Sequence, residues 1–419
     1  FMKLNKIAAL IAIAAASGSA FATNGYFAHG YGMKAKGMAG VGIALPQDGL
    51  AAATNPAGMV MVGDRLDLGV DWFKPNRGAE IVGTVAGGGG MNGSHDGNGD
   101  SSFLVPDFGY NKMLGWDMSV GVSVYGNGGM NTKYNTSPFV AIGGQNPAGV
   151  NLEQLFIAPT FAMRLNKGHA LGVSIVMAYQ TFGATGLQPF DGAGSSNPGS
   201  VTNRGNDHST GWGLRLGWTG QVSENVTLGA TYASKIKGKF NDYKGLFAEE
   251  GRFDIPENYG FGIAVKATPK LTVAADIQQI NYGSVKAIAN PNCGGAGCLL
   301  GTSGGSGFGW RDMTVFKLGV SYELSKDMTL RAGVSTNRQP IPARETFFNI
   351  LAPGVVENHL TLGGTWTLAN KNELTVGYMH AFKKTVNGSG SVAAAGMGAG
   401  EANLHMSQDS LGLAYGIKF

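Results

Sequence analysis

Val226-Thr227-Leu228-Gly229-Ala230-Thr231-Tyr232-Ala233 and, further on, Tyr259-Gly260-Phe261-Gly262-Ile263-Ala264-Val265-Lys266 decide the fold. Each run puts bulky apolar side chains on one side of an extended chain and small or polar groups on the other. That is the period of two that a β-strand produces. Trp212, Leu214, Leu216 and Trp218, interleaved with Gly213, Arg215, Gly217 and Thr219, repeat it. In a soluble sandwich the apolar face would enter a core. In a membrane barrel it would face lipid, and the polar face would line the lumen.

The connections separate these two possibilities. The chain holds about fourteen candidate strands of roughly ten residues, the length of a tilted membrane strand. Short polar joins at residues 112–115, 166–168, 219–225, 268–270, 325–327 and 370–371 alternate with long ones. The long ones cover residues 75–100, 126–150, 183–207, 240–256, 285–309, 339–356 and 387–406. Short turns on one side and long loops on the other describe an up-and-down transmembrane barrel. A sandwich has no reason to sort its loops in this way. The chain ends on Leu411, Leu413, Tyr415, Ile417 and Phe419 along one face. A terminal aromatic of this kind resembles the signal read by the barrel-assembly machinery, so Phe419 is the expected contact. Trp116, Trp218, Tyr259 and Trp366 lie near strand ends, where an interfacial aromatic girdle belongs.

The first residues read as an export address. Lys3 and Lys6 precede the apolar run from Ile7 to Ala16, and Ala20-Phe21-Ala22 supplies a small-residue cleavage pattern. The expected organisation is a signal peptide over residues 1–22, an N-terminal segment over 23–62 and the barrel over 63–419. An apolar run of that length is too short to span a bilayer as a helix. Without Lys3 and Lys6, the 31 basic residues fall to 29 against 27 acidic ones. That balance argues against a nucleic-acid binder, which would need a basic stripe. Charged residues are 14% of the chain and glycines number 69, which favours β structure with loops over helices.

Residues 23–62 carry no sustained alternation, yet Tyr26, Phe27, Met33, Met38, Val41, Ile43, Leu45, Leu50, Met59, Val60 and Met61 are too apolar for a disordered tail. Their natural place is inside the barrel, as a plug. Gly37-Met38-Ala39-Gly40-Val41-Gly42, Gln47-Asp48-Gly49 and Thr54-Asn55-Pro56-Ala57-Gly58-Met59 resemble the hatch of the FadL/TodX family of outer-membrane hydrophobic-compound transporters. Asn55, Pro56 and Ala57 are the hatch motif. The likeness continues through Thr268-Pro269-Lys270-Leu271-Thr272-Val273-Ala274-Ala275-Asp276, Tyr282, Arg331-Ala332-Gly333, Pro340 and Pro342.

The resemblance implies a fourteen-stranded barrel of the Gram-negative outer membrane that takes up hydrophobic molecules passively. Ligand would be caught by outer loops, pass to an apolar pocket above the hatch, and leave sideways at a kink in the third strand. Lateral release spares an apolar ligand the aqueous periplasm. Tyr125, Gly126, Asn127, Gly128 and Gly129 fall on that strand, and glycines within a strand mark a bulge or bend. They could equally begin the outer loop. Candidate ligand contacts are Tyr26, Phe27, Leu246, Phe247, Lys317 and Arg331.

Alternation turns Arg215, Lys235, Lys237, Arg311, Lys317 and Arg331 inward, where the favoured reading for any one of them is pairing with Asp117, Asp276, Glu323 and Glu373 or with plug backbone. A lumen cation could meet a fatty-acid carboxylate. This favours long-chain fatty acids over aromatic or alkane hydrocarbons, the alternative substrates, with a general porin as the further one. Lys235 and Lys237 could instead meet lipopolysaccharide phosphates. Tyr243, Leu246 and Phe247 sit at helical spacing, which predicts an amphipathic helix across residues 241–250. Cys293 and Cys298 fall in one loop of an oxidising compartment, so a disulfide is expected. No metal or other cofactor is expected. Enzymatic function would need a nucleophile beside His29, His359 or His380, and no such motif accompanies them.

Overall fold

The computed structural model describes residues 24–85, 90–294 and 296–419. The expected signal peptide, residues 1–22, lies outside them. The strands are β1 (Arg65–Val82), β2 (Gly93–Asp96), β3 (Phe103–Met113), β4 (Met118–Tyr134) and β5 (Ala148–Arg164). They continue with β6 (His169–Thr185), β7 (Asp207–Ser223), β8 (Val226–Ala233), β9 (Asn258–Thr268) and β10 (Leu271–Ile280). The remainder are β11 (Met313–Glu323), β12 (Met328–Asn337), β13 (Asn358–Thr367), β14 (Glu373–Val386) and β15 (Glu401–Lys418).

All but β2 form one antiparallel ring of fourteen, each paired with its sequence neighbour and closed where β15 meets β1 from Arg65↔Lys418 to Val82↔Glu401. Closure gives every strand of the ring a partner on both sides, the condition for crossing a bilayer with strands. The short strand β2 adds to the outer end of β1 alone. No described helix is long and apolar enough to cross a membrane.

The apolar faces point outward. Leu214, Leu216, Phe261, Ile263, Leu411 and Leu413 are exposed, while the alternating positions Arg215, Gly217, Gly412 and Ser410 are covered. Trp116, Tyr259 and Trp366 are exposed near strand ends, and Trp218 stacks on His169 with ring centroids 5.8 Å apart.

Several strands run longer than the membrane needs. β1 and β15 have 18 residues, and β4, β5, β6 and β7 have 17. The residues expected to open outer loops after Pro75, Gly126 and Gly183 therefore continue as strand. Above the bilayer both faces of these strands can be covered by protein, so the alternation fades although the ladder persists.

Residues 24–62 fill the lumen with one-turn helices at Met33–Lys36 and Met59–Val62 and short 3₁₀ turns at Ala51–Ala53 and Pro56–Gly58. Asn55 caps the second turn, its Oδ1 accepting from Ala57 N at 3.1 Å. Its Nδ2 donates to Ile43 O (2.7 Å) and Trp218 O (2.9 Å). The barrel wall makes room for this turn at two glycines. A Cβ on Gly172 would stand 2.3 Å from the Pro56 carbonyl carbon, and one on Gly217 would stand 1.9 Å from Asn55 Oδ1.

Candidate lateral exit and ligand route

The glycine run 126–129 lies within β4, and the third barrel strand bulges there. Gly126 pairs with Leu155 and Gly128 with Gln154, which leaves Asn127 as the extra residue. Such a bulge bends its strand. The β3–β4 ladder ends at Phe108↔Val124. Beyond it, among the barrel strands, Phe103 to Asp107 pair only with β1, and Tyr125 to Tyr134 only with β5. The wall is therefore unzipped between β3 and the outer half of β4. Residues 97–99 close the top of the opening: Gly97 N donates to Arg77 O (3.1 Å), Lys133 N to Gly97 O (3.1 Å) and Gly99 N to Lys133 O (2.9 Å).

Backbone groups released by the missing ladder still need partners. The first described hatch residues supply them. Phe27 bridges Gly128, Ala28 N donates to Asn127 O at 2.8 Å, and Gly129 N donates to Tyr26 O at 2.9 Å. Gly128 must be glycine for this approach, since a Cβ would fall 1.8 Å from Tyr26 O. The hatch thus caps the edge that β3 abandons. The Asn127 side chain accepts from Tyr31 Oη (2.9 Å) and donates to Gln154 Oε1 (2.8 Å). Gln154 donates on to Gln180 Oε1 (2.8 Å), and Gln180 to Phe253 O (3.2 Å).

Tyr26 and Phe27 sit in a buried aromatic cluster with Tyr282, Trp310 and Phe253; the Tyr26 ring lies 5.2, 6.1 and 6.2 Å from theirs. The Tyr282 hydroxyl donates to Asn24 O (2.5 Å) and accepts from Tyr26 N (3.2 Å) and Phe27 N (3.3 Å). Burial pushes that hydroxyl well above the usual tyrosine range, so it stays protonated and able to donate. The likeness quoted at Tyr282 marked the residue without its role. Trp310, Phe253, Gln154 and Gln180 carried no sequence signal, because only the closed barrel brings them together.

Phe247 continues the aromatic column outward, 4.8 Å from Phe253 and 4.7 Å from Phe182. With half-buried Leu246 it lines a narrow cleft among the outer loops, together with Phe190, Phe308, Phe348 and Leu351. The cleft holds only about 40 Å³ of free space, so its side chains must part to admit a ligand. No amphipathic helix spans residues 241–250. A 3₁₀ turn at Asn241–Tyr243 and a turn at Ala248–Gly251 replace it, with Glu249 and Glu250 in left-handed backbone (φ 56° and 58°).

The lumen cations reach the hatch. Lys317 Nζ donates to His29 O at 3.1 Å. Arg331 donates to Gln47 Oε1 (2.8 Å) and Thr365 Oγ1 (2.7 Å), and Arg215 to Thr54 O (3.3 Å). Each is bound to hatch atoms. Lys237 and Arg311 are exposed rather than lumenal, and Lys235, beyond the end of β8, donates to Ser284 O at 2.7 Å. Of the acids, Asp276 accepts from Gly42 N (2.8 Å) and Ile43 N (3.1 Å), and Glu373 binds Lys34. Glu323 is exposed and Asp117 half-buried at a short turn. Cys293 and Cys298 are bonded to each other, with Cα atoms 5.8 Å apart.

A family model described as outer membrane protein transport protein (OMPP1/FadL/TodX) matches residues 8–419. A Pseudomonas aeruginosa FadL homologue superimposes with a TM-score of 0.72 at 16% identity, over 94% of this chain and 100% of that one. The Pseudomonas putida toluene transporter TodX and the Ralstonia pickettii toluene transporter TbuX each give 0.66 at 18% identity, over 93% of this chain and 99% of theirs. A search of the curated proteins gives no match.

Proposed function

Because the chain belongs to the OMPP1/FadL/TodX family of outer-membrane transport proteins, we propose that it takes up hydrophobic molecules passively and releases them sideways between β3 and β4. The observation that carries this reading is the bulge at Asn127, with an unzipped wall beside it whose backbone is met by hatch residues 26–28. Ligand enters at the Leu246/Phe247 cleft and follows the aromatic column past Phe253 to Tyr26 and Phe27. It leaves through the opening once those residues withdraw. Phe73, Phe103 and Val105 give the opening an apolar border. The reading includes a cleaved signal over residues 1–22, a hatch over 23–62 that blocks the lumen, and a barrel from 63 onward. Phe419 serves assembly.

Uncharged hydrocarbons fit this route better than long-chain fatty acids. Lys317 and Arg331 are bound to hatch atoms and Arg215 reaches Thr54 O, and none of the three is among the rings of the aromatic column, so a carboxylate lying along that column would be desolvated. Two of the structural relatives are toluene transporters, which is the same ligand class.

The test is deletion of Asn127, which removes the extra residue and lets β4 rejoin β3. Radiolabelled toluene and oleate would be offered to cells making either form. Toluene entry faster than oleate entry in the wild type, and loss of at least about tenfold in the folded deletion variant, is expected, a barrier change of roughly 1.4 kcal/mol. Undiminished uptake by the deletion variant would rule out the lateral route. Oleate as the preferred substrate would restore the fatty-acid reading.

A further inference from the structure

The lipid-facing wall carries a recess apart from the β3–β4 opening. Across β9 to β14 the outer surface holds a hollow of about 910 Å³ bordered by Phe261, Ile277, Phe316, Val334, Leu360 and Phe382. Phe261, Phe316 and Phe382 stand out from the wall, with 61%, 53% and 48% of their surfaces exposed. They lie on β9, β11 and β14, and smaller Ile277, Val334 and Leu360 occupy the strands between. At the ~4.8 Å strand spacing of a sheet, this leaves troughs about one acyl chain wide. All these residues sit toward the long-loop ends of their strands, so the hollow faces the outer leaflet.

A second hollow of about 640 Å³ continues from the first toward the loops, the two sharing Phe316 and Thr336. Arg311 and Arg338 line it. Both are exposed, and among the described residues neither guanidinium has an ion-pair partner. Of the charges nearby, Asp312 lines the same hollow beside Arg311, and Glu345 lies within range of the Arg311 charge without an ion pair to it. Lys384 pairs with Glu357 at 2.6 Å, Asp312 accepts from Gly283 N at 2.7 Å, and Glu345 from Asn292 N at 2.6 Å. Two unpaired guanidiniums directly above an apolar, membrane-facing recess match a lipid with several acyl chains and more than one phosphate, since guanidinium binds phosphate through paired, charge-assisted hydrogen bonds.

We infer that this face is a specific site for one molecule of the bis-phosphorylated, multiply acylated glycolipid of the outer leaflet, lipid A. Its chains lie between Phe261, Phe316 and Phe382, and its phosphates reach Arg311 and Arg338. A phospholipid with two chains and one phosphate would fill less of the recess and satisfy one arginine.

The test is native mass spectrometry of the delipidated full chain with bis-phosphoryl lipid A, with the same lipid dephosphorylated, and with phosphatidylglycerol as competitor. Two variants accompany it, Arg311→Ser/Arg338→Ser and Val334→Trp, the second filling the recess while both arginines stay. Both alter outward-facing residues, and heat-shifted gel migration checks that the barrel is folded. One lipid A should remain bound to the wild type, with retention roughly tenfold or more lower in either variant and for the dephosphorylated lipid. Equal retention by either folded variant would overturn the proposal, as would displacement of lipid A by an equal concentration of phosphatidylglycerol. Toluene uptake should be the same in the arginine variant, which separates this outcome from that of the transport reading.

Discussion

Single residues hold the hatch to the wall through backbone groups that the wall cannot satisfy itself. Asn55 is the densest such point: one side chain caps a 3₁₀ turn and donates to carbonyls of both the hatch and β7. The Asn-Pro-Ala motif was legible in the sequence. Its seat at Gly172 and Gly217 was not, because nothing local marks which wall glycines meet it. Replacing Asn55 with Ala strips the cap and leaves Ile43 O and Trp218 O without this donor. A cap and a buried hydrogen bond are each worth about 1 kcal/mol, so seating should weaken by roughly 1–3 kcal/mol. In planar bilayers Asn55→Ala should pass ions more often than the wild type. An equally quiet channel would mean that the wall glycines alone hold the turn.

At the scale of elements, alternation identified the strands, because lipid demands an unbroken apolar face there. Above the membrane that demand lapses, and sequences such as Thr132-Lys133-Tyr134 in β4 read as loop although they pair as strand. The helical spacing of Tyr243, Leu246 and Phe247 did not make a helix: Glu249 and Glu250 take left-handed backbone, and Tyr243 and Phe247 pack on Phe182 from a 3₁₀ turn and the loop after it. The inward direction of Lys317 and Arg331 and their pairing with the plug were readable, whereas the particular atoms, His29 O and Gln47 Oε1, depend on how a segment distant in sequence folds against the wall. The junction of the hatch with β14 shows how such partners matter. Glu373 accepts from Lys34 at 2.6 Å, Arg65 at 2.8 Å and Lys418 at 2.7 Å, with Lys34 and Arg65 nearly covered. Glu373→Gln would leave Lys34 buried beside a neutral amide, a loss of about 3–5 kcal/mol for a broken buried pair. Protease nicking between residues 30 and 50 of folded barrel should then rise sharply. No change would mean that Asp48 and Gln47 suffice to hold Lys34.

For the whole molecule, a rigid ring encloses a separately held hatch, and the two need not be equally stable. His29 links them. Its Nε2 shares a hydrogen bond of 2.8 Å with Ser335 Oγ on β12, its ring lies 4.6 Å from that of His359 on β13, and Lys317 on β11 binds its carbonyl. Lys36 of the hatch adds a further positive charge nearby. Burial first, then His359, Lys317 and Lys36, hold the His29 imidazole well below the usual histidine range. Because the docked value lies below the free value near 6.5, a released hatch binds the extra proton more readily than a seated one. Seating is therefore fully favoured above about pH 6.5 and is lost progressively as the pH falls below it. Ion conductance through the reconstituted barrel should rise between pH 7 and pH 5, before the ring itself unfolds. His29→Gln keeps a donor for Ser335 without the titration, and its conductance should stay nearly flat over that range. A variant that opens in acid as readily as the wild type would place the sensitivity in another group of this junction, His359 of the wall included, with Asp48 excluded by sign. Burial raises that carboxyl to about 6, so acid relieves its cost rather than adding to it.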